Sequence, residues 1–251
     1  MRSRAFGRSL IGPVVVIGLW QVIYSVQVLQ SSLFPSPLAS ALALYRVLSS
    51  GAILPDIGYT FLRMFAGYAL ASIVGIGIGL LIGMCRPFYE ATIGMVDFFR
   101  SIPVTTLYPV FVLSFGIGNS SKVAMVFWAS FFVIALNSAY GVLQSPKLRA
   151  QMASLYGAKG AQIFRWIVFY DALPQTMIGL RIALSYAFIV EILCEMFMGS
   201  EFGVGQKITE AWTTYAIDQL FGLILLSGIF GFILNRLFVY VERHAVPWVA
   251  R

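Results

Sequence analysis

Charge is what this sequence has least of. Only 11% of its 251 residues are Asp, Glu, Lys or Arg, against 59% hydrophobic, where a soluble domain carries about 25% charged residues. A globular core of this size cannot hide so much apolar surface, so an integral membrane protein with several helices is the direct reading. Cysteine and histidine are equally thin, with two Cys and one His. Cys85 and Cys194 fall in apolar runs and read as small hydrophobes with no disulfide. His244 stands among charges near the C-terminus, a solvated surface residue, and no zinc cluster can be assembled. No GxxxxGK[ST] loop, GxSxG elbow or HExxH pair occurs, which excludes P-loop ATP binding and leaves no hydrolase constellation. The chain is therefore expected not to be an enzyme and to bind no cofactor or metal itself. The net charge of +7 does not indicate nucleic acid, because the cations sit in gaps between apolar runs rather than in a patch interleaved with aromatics.

What is present is a series of apolar runs. Six membrane-spanning helices are expected, at about 9–28, 59–84, 93–115, 123–143, 176–198 and 219–240, in one transmembrane domain covering 1–251. The start MRSRAFGR-LIGPVVVIGLW resembles a signal peptide, but no small-residue cleavage site follows, so a retained first span is expected. Between the first two spans, a segment with three prolines encloses a patterned piece at 38–48. It is too short to cross a membrane and too apolar for a free loop, which predicts an interfacial helix on the outer face. The second span carries Gly75, Gly77, Gly79 and Gly83 with Ala71 and Ser72, small residues that let helices approach closely or line a path.

Three spans carry polar groups. In the third, Asp97 and Arg100 lie three apart on one helix face and can pair, either as an end-placed ion pair or as a gate or pathway lining. Pro103 and Pro109 remove backbone donors there and kink the helix. Asn137 in the fourth span reads as an interhelical hydrogen bond. Glu191 and Glu195 form an i, i+4 pair deep in the fifth, as pathway or gating groups or as a structural pair. Counting cations sets the orientation. Arg2, Arg4, Arg8, Arg86, Lys147, Arg149, Lys159, Arg165, Arg236, Arg243 and Arg251 fall on one side, and Arg46, Arg63, Lys122 and Lys207 on the other. The positive-inside rule then places both termini, and the loop at about 144–175, in the cytoplasm.

That loop is the most patterned polar stretch. Ser145 reads as an N-cap followed by Pro146 at the first helical position, and Leu148, Met152, Leu155 and Tyr156 share one helical face. Gly157 stands where a left-handed residue would end the helix. A second helix follows, with Ile163, Phe164, Ile167 and Val168 on one side and Lys159, Gln162 and Arg165 on the other, and Leu173-Pro174 is expected to close it. Two short helices hinged at a glycine form a docking element.

The sequence also resembles a known family. The loop is similar to the cytoplasmic coupling loop of permeases from binding-protein-dependent ABC importers, and more closely to the nitrate, sulfonate, taurine and bicarbonate branch. Ala153, Gly157, Ala158, Phe164, Ile167, Ala172, Leu173, Pro174, Gly179, Leu180 and Arg181 fall on that pattern. FLRMFAGYALASIVGIGIGLLIGM, RSIPVTTLYPVFVLSFGIGNSSK and EMFMGSEFGVGQKI resemble further family segments, so the likeness covers about 33–208. Two departures stand out: Gln151-Met152 replaces the acidic residue and alanine at the motif's start, and Phe169-Tyr170 replaces its first Leu-Pro.

The resemblance implies an all-α, six-helix type I importer permease with an extracytoplasmic interfacial helix and a cytoplasmic coupling helix. It implies a homodimer in a bacterial inner membrane, two ATP-binding cassette subunits that hold ATP and magnesium, and an extracytoplasmic solute-binding protein. Gln151, Met152, Ala153, Tyr156, Gly157, Ala158, Phe164 and Pro174 would then meet the ATPase. Asp97, Arg100, Pro103, Glu191 and Glu195 are the candidates for the translocation path or gate. Import of a small polar solute by alternating access is the implied function. A membrane scaffold or sensor that recruits a soluble ATPase through the same loop is the alternative.

Overall fold

The computed structural model describes residues 2–27 and 33–248, with side chains from residue 11 onward. Arg2, Arg4, Arg8 and Arg251, all counted in the orientation argument, lie outside the described side chains, as does the end of the first expected span. The described elements are helical. They are α1 (Arg2–Ser25), α2 (Pro37–Ser49), α3 (Leu54–Met84), α4 (Arg86–Ser101), α5 (Tyr108–Phe115), α6 (Asn119–Leu143), α7 (Lys147–Leu155), α8 (Gly160–Ile163), α9 (Phe169–Met198), α10 (Val204–Thr213) and α11 (Ile217–Ala245). Among the described residues, four helical stretches are long and apolar enough to cross a membrane: Leu54–Met84, Asn119–Leu143, Gly160–Met198 and Ile217–Ala245. The α4 and α5 pair makes a fifth if it is one broken span, and α1 adds a shorter apolar helix over Ile11–Ser25.

The bundle is built on α6, which lies between α3 and α9. Apolar burial gives little drive for helix association in lipid, so close backbone packing must supply it. On α3, Gly67, Ala71, Gly75, Gly79 and Gly83 recur every fourth residue and are all buried. A β-carbon at Gly79 would stand 2.3 Å from the Ala135 carbonyl oxygen, and one at Gly83 would stand 2.7 Å from that of Ala139. On the opposite side of α6, a β-carbon at Gly141 would lie 2.6 Å from the Ala172 oxygen, and one at Gly179 of α9 would lie 2.5 Å from the Asn137 β-carbon. Gly77, grouped with the seam in the sequence, points into open space instead. It is out of step with the four-residue repeat.

Two expectations about prolines are corrected. The stretch at 93–115 is not one kinked helix: α4 and α5 are separate helices that meet at an angle of 82°. Pro103 forces the preceding Ile102 into extended backbone (φ −72°, ψ 120°), since the proline ring excludes the helical region one residue earlier. Pro109 does not kink a helix at all. It lies in the first turn of α5, where a missing N–H costs nothing. Conversely, Leu173-Pro174 does not close a helix. Helical backbone continues from Gly160 to Met198, through one wide π turn at Phe164–Val168 and with Pro174 inside α9.

Aromatic side chains tie the shorter elements to the bundle. Phe99 of α4 packs edge-on to Trp128 at 5.6 Å and stacks with Phe132 at 5.9 Å on α6, contacts each worth about 1 kcal/mol beyond area burial. The piece at 38–48 is the helix α2. Ser36 accepts from the Ala39 N–H at its start, with Pro37 in its first turn. It packs on α11 where Gly222 faces the Ser40 carbonyl, 3.0 Å from a built β-carbon.

The glycine seam gives a paired prediction. Gly79→Val should cost about 3 kcal/mol or more, since a rigid carbonyl cannot yield, and should sharply lower monodisperse recovery and Tm in detergent. Gly77→Val should leave both near wild type. Equal losses from the two variants would show that the seam does not set the helix spacing.

Candidate functional site

At one end of the bundle, α7 and α8 form a hairpin closed as a Schellman motif. The Gly157 N–H donates to the Ser154 carbonyl (3.0 Å) and the Ala158 N–H donates to the Ala153 carbonyl (3.0 Å), with Gly157 at φ +85°. This is the left-handed glycine cap expected from the sequence. The hairpin is tethered to α9 through Asp171, which accepts from the Ser145 hydroxyl at 2.9 Å and pairs with Arg149. The face of Leu148, Met152, Leu155 and Tyr156 is turned outward, with Leu155 86% and Tyr156 89% exposed. Ala153, Ala158 and Phe164 are half-buried behind it, Gln151 is exposed, and Pro174 lies further along inside α9.

Between the two ends, a cavity of about 420 Å³ opens beside the α4–α5 break, lined by Arg100, Ile102, Trp128, Asn137 and Tyr186 among others. Asp97 and Arg100 pair at 3.0 Å, both about half exposed, and Pro103 stands at the break itself. Asn137 accepts from the Gln175 amide at 2.9 Å, the interhelical bond its position predicted.

Glu191 and Glu195 are elsewhere, fully buried in a charge cluster near the start of α10. Glu195 Oε1 accepts from Arg63 Nη1 (2.9 Å) and lies 2.7 Å from the Thr60 hydroxyl, while its Oε2 accepts from the Gly205 N–H (2.8 Å). Arg63 also donates from Nε to Asn119 Oδ1 (2.7 Å) and from Nη1 to the Phe202 carbonyl (3.0 Å). Asp56 accepts from the Gly203 N–H at 2.8 Å, and Thr60 accepts from that of Val204 at 3.0 Å. A β-carbon at Gly203 would stand 2.4 Å from the Glu195 carboxyl carbon, and one at Gly205 would stand 2.3 Å from the Ile192 oxygen. The two glycines of the FGVG stretch therefore let the turn close over the carboxylate.

Several of these residues were not foreseen. Arg63 and Lys122 were counted as outer-surface cations, but they are 4% and 2% exposed. Their long side chains turn inward because buried carboxylates need a counter-charge. Arg63 falls well inside the helical stretch Leu54–Met84, and an arginine there is the signal that could have found it. Asp56, Thr60 and Asp171 carried no comparable signal.

The tether makes a prediction of its own. Asp171→Ala leaves α7 held by few contacts, and locally loosened segments open more often. Limited trypsin digestion of the solubilised protein should cut at Lys147, Arg149 or Lys159 several-fold faster than in wild type. Unchanged cutting would mean that Asp171 does not hold the hairpin.

The chain is 24% identical over 249 residues to a nitrate import permease protein of Synechocystis, covering 96% of this chain and 89% of that one. It is 23% identical over 239 residues to a taurine transport system permease protein of Escherichia coli, with 93% and 86% covered. Among solved structures, an inward-facing form of the MetNI methionine ABC transporter superposes with a TM-score of 0.66 at 19% identity, covering 81% of this chain and 98% of that one; this likeness establishes the shared fold. Residues 75–250 match the family described as the binding-protein-dependent transport system inner membrane component, and the chain belongs to that family.

Proposed function

We propose that this chain is the permease subunit of an ATP-driven, binding-protein-dependent importer. It takes up a small polar solute of the nitrate, sulfonate or taurine class by alternating access. Two copies would enclose the path. Each would present its α7 hairpin to one of two ATP-binding cassette subunits that hold ATP and magnesium, while an extracytoplasmic protein delivers solute at the α10 end. In this arrangement α1 and the broken α4–α5 pair bring the spans to six. The amphipathic α2 lies in the outer interface, and both termini face the cytoplasm of a bacterial inner membrane.

The observation that carries the reading is the outward apolar face of α7. Leu148, Met152, Leu155 and Tyr156 stand exposed on a helix whose other side chains include Lys147, Arg149 and Gln151. A helix with such polar flanks is poorly suited to lipid, and exposed apolar clusters rimmed by polar groups mark protein contacts. The left-handed hinge at Gly157 and the tether to Asp171 hold that face rigidly, as a lever requires. ATP binding that favours one arrangement of the two ATPases would shift the permease between inward- and outward-open states. The cavity beside the α4–α5 break is the natural place for solute to meet Arg100, whose partner is Asp97.

Replacing Leu155 or Tyr156 by Asp should leave the yield of folded permease unchanged, because both side chains are already in solvent. It should lower recovery of the co-expressed ATPase at least tenfold in pull-down, and lower solute uptake into proteoliposomes with it. Undiminished recovery and uptake in both variants would count against α7 as the docking face.

A further inference from the structure

The charge cluster at the α10 end contains an asymmetry. Glu195 has acceptor contacts on both oxygens, from Arg63 and Gly205 with Thr60 alongside. Glu191, one turn earlier on the same face of α9, is as deeply buried, yet neither of its oxygens has a hydrogen-bond partner among the described residues. Its one ion pair among the described residues is with Arg63 at 3.7 Å, and a buried carboxylate so weakly compensated costs several kcal/mol, a cost that a leucine or methionine of similar size would avoid. Hydrogen bonding gives no reason for a carboxylate there.

Position supplies one. Arg63 Nη1 lies 2.9 Å from Glu195 Oε1 and 3.7 Å from Glu191 Oε1, so less than an ångström separates it from a full ion pair with the second glutamate. Glu191 and Glu195 are i, i+4 neighbours, both within reach of one guanidinium. The same Nη1 also holds the Phe202 carbonyl, in the turn that leads into α10. A guanidinium that moves toward Glu191 gives up both Glu195 and Phe202. The turn then keeps the N–H bonds to Asp56, Thr60 and Glu195 and the stack of Phe202 on Tyr59.

We propose that Arg63 is a two-station latch. Its guanidinium passes between Glu195, where it clamps the 199–205 turn and α10 to the bundle, and Glu191, where it releases them. Glu191 is the second station, engaged here only at 3.7 Å, and its unmet hydrogen-bond acceptors are what make the exchange accessible. Packed interiors switch between discrete arrangements rather than deforming continuously, and one arginine between two buried carboxylates is such a bistable element. The inference rests on the geometry of this cluster and not on the solute or on the identity of the ATPase.

The test is hydrogen exchange of the backbone amides of 203–205 in full-length protein in lipid nanodiscs. These amides report the turn directly because they donate to Asp56, Thr60 and Glu195. Removing the second station should lock the clamp, so Glu191→Gln should slow their exchange about tenfold relative to wild type. Glu191→Met, apolar and of similar size, should slow it equally and guards against a folding defect in the amide variant. Glu195→Gln should drive Arg63 to Glu191 and speed exchange by a similar factor. If Glu191 merely stabilises the cluster, removing it would loosen the turn. Exchange that is unchanged or faster in either Glu191 variant overturns the latch.

Discussion

The approach of α6 to both α3 and α9 at backbone contact is the constraint on which the other features depend. Lipid is as apolar as a leucine core, so helices gain little from hiding apolar side chains from one another. The glycines at 67, 75, 79 and 83, with Gly141 and Gly179, replace side-chain packing by direct contact with carbonyls and β-carbons. That short spacing brings Asn119 of α6 and Glu195 of α9 each within hydrogen-bond distance of Arg63 of α3. A wider bundle would leave three charged or polar side chains in hydrocarbon with no partners. The apolar seam and the buried cluster are therefore linked: the seam makes the cluster possible, and the cluster fixes the register of the seam.

Much of this was legible in the residue pattern, and the failures have physical causes. The α7 face and its left-handed glycine are local features. Period and hinge lie within about a dozen residues, and the structure reproduces them; the expected Ser145 cap does not form, because Pro146 stands at the N-cap and the Ser145 hydroxyl bonds Asp171 instead. The close helix approach at Gly75, Gly79 and Gly83 was legible too, although Gly77 shows that composition alone does not identify a face. What escaped was mostly tertiary. Arg63 looked like an outer cation because sequence hydropathy cannot distinguish a rim residue from a buried one with a partner 132 positions away. Asp56 and Thr60 owe their roles to a turn that sequence places 147 and 144 residues later. The prolines were misjudged for a different reason. Pro174 and Pro103 have the same intrinsic effect, but the first sits where the helix continues through it, and the second follows a residue that has left the helical region.

The departures at Gln151 and Met152 bear on how the loop would make the proposed contact. Gln151 is exposed and uncharged, and the charged residues near it are engaged differently: Arg149 is turned back to Asp171 inside the same chain. The hairpin therefore presents chiefly shape and apolar surface to a partner, through Leu155, Tyr156 and Met152. Contacts of this kind depend on holding a rigid face at a fixed angle, which explains the investment in a full Schellman closure and a tether to Asp171.

The same tether places the load path along α9. Helical backbone from Gly160 to Met198 covers 39 residues, about 58 Å at 1.5 Å per residue, roughly twice the thickness of a hydrocarbon core. The helix must therefore project well beyond the bilayer, and its α7 end, with Asp171 and the π turn, is the end that does. Pro174, three residues after Asp171, lacks the N–H that would bond one turn back. It leaves the helix softest just beyond the point where the hairpin grips it. Glu191 and Glu195 lie further along the same rod, facing Arg63. On the proposed reading, a push on α7 would reach α9 through the Arg149–Asp171 pair, pass Pro174, and arrive at the part of the helix that carries Glu191 and Glu195. Coupling over that distance needs no chain of intervening contacts beyond one continuous helix and the seam that holds it against α6.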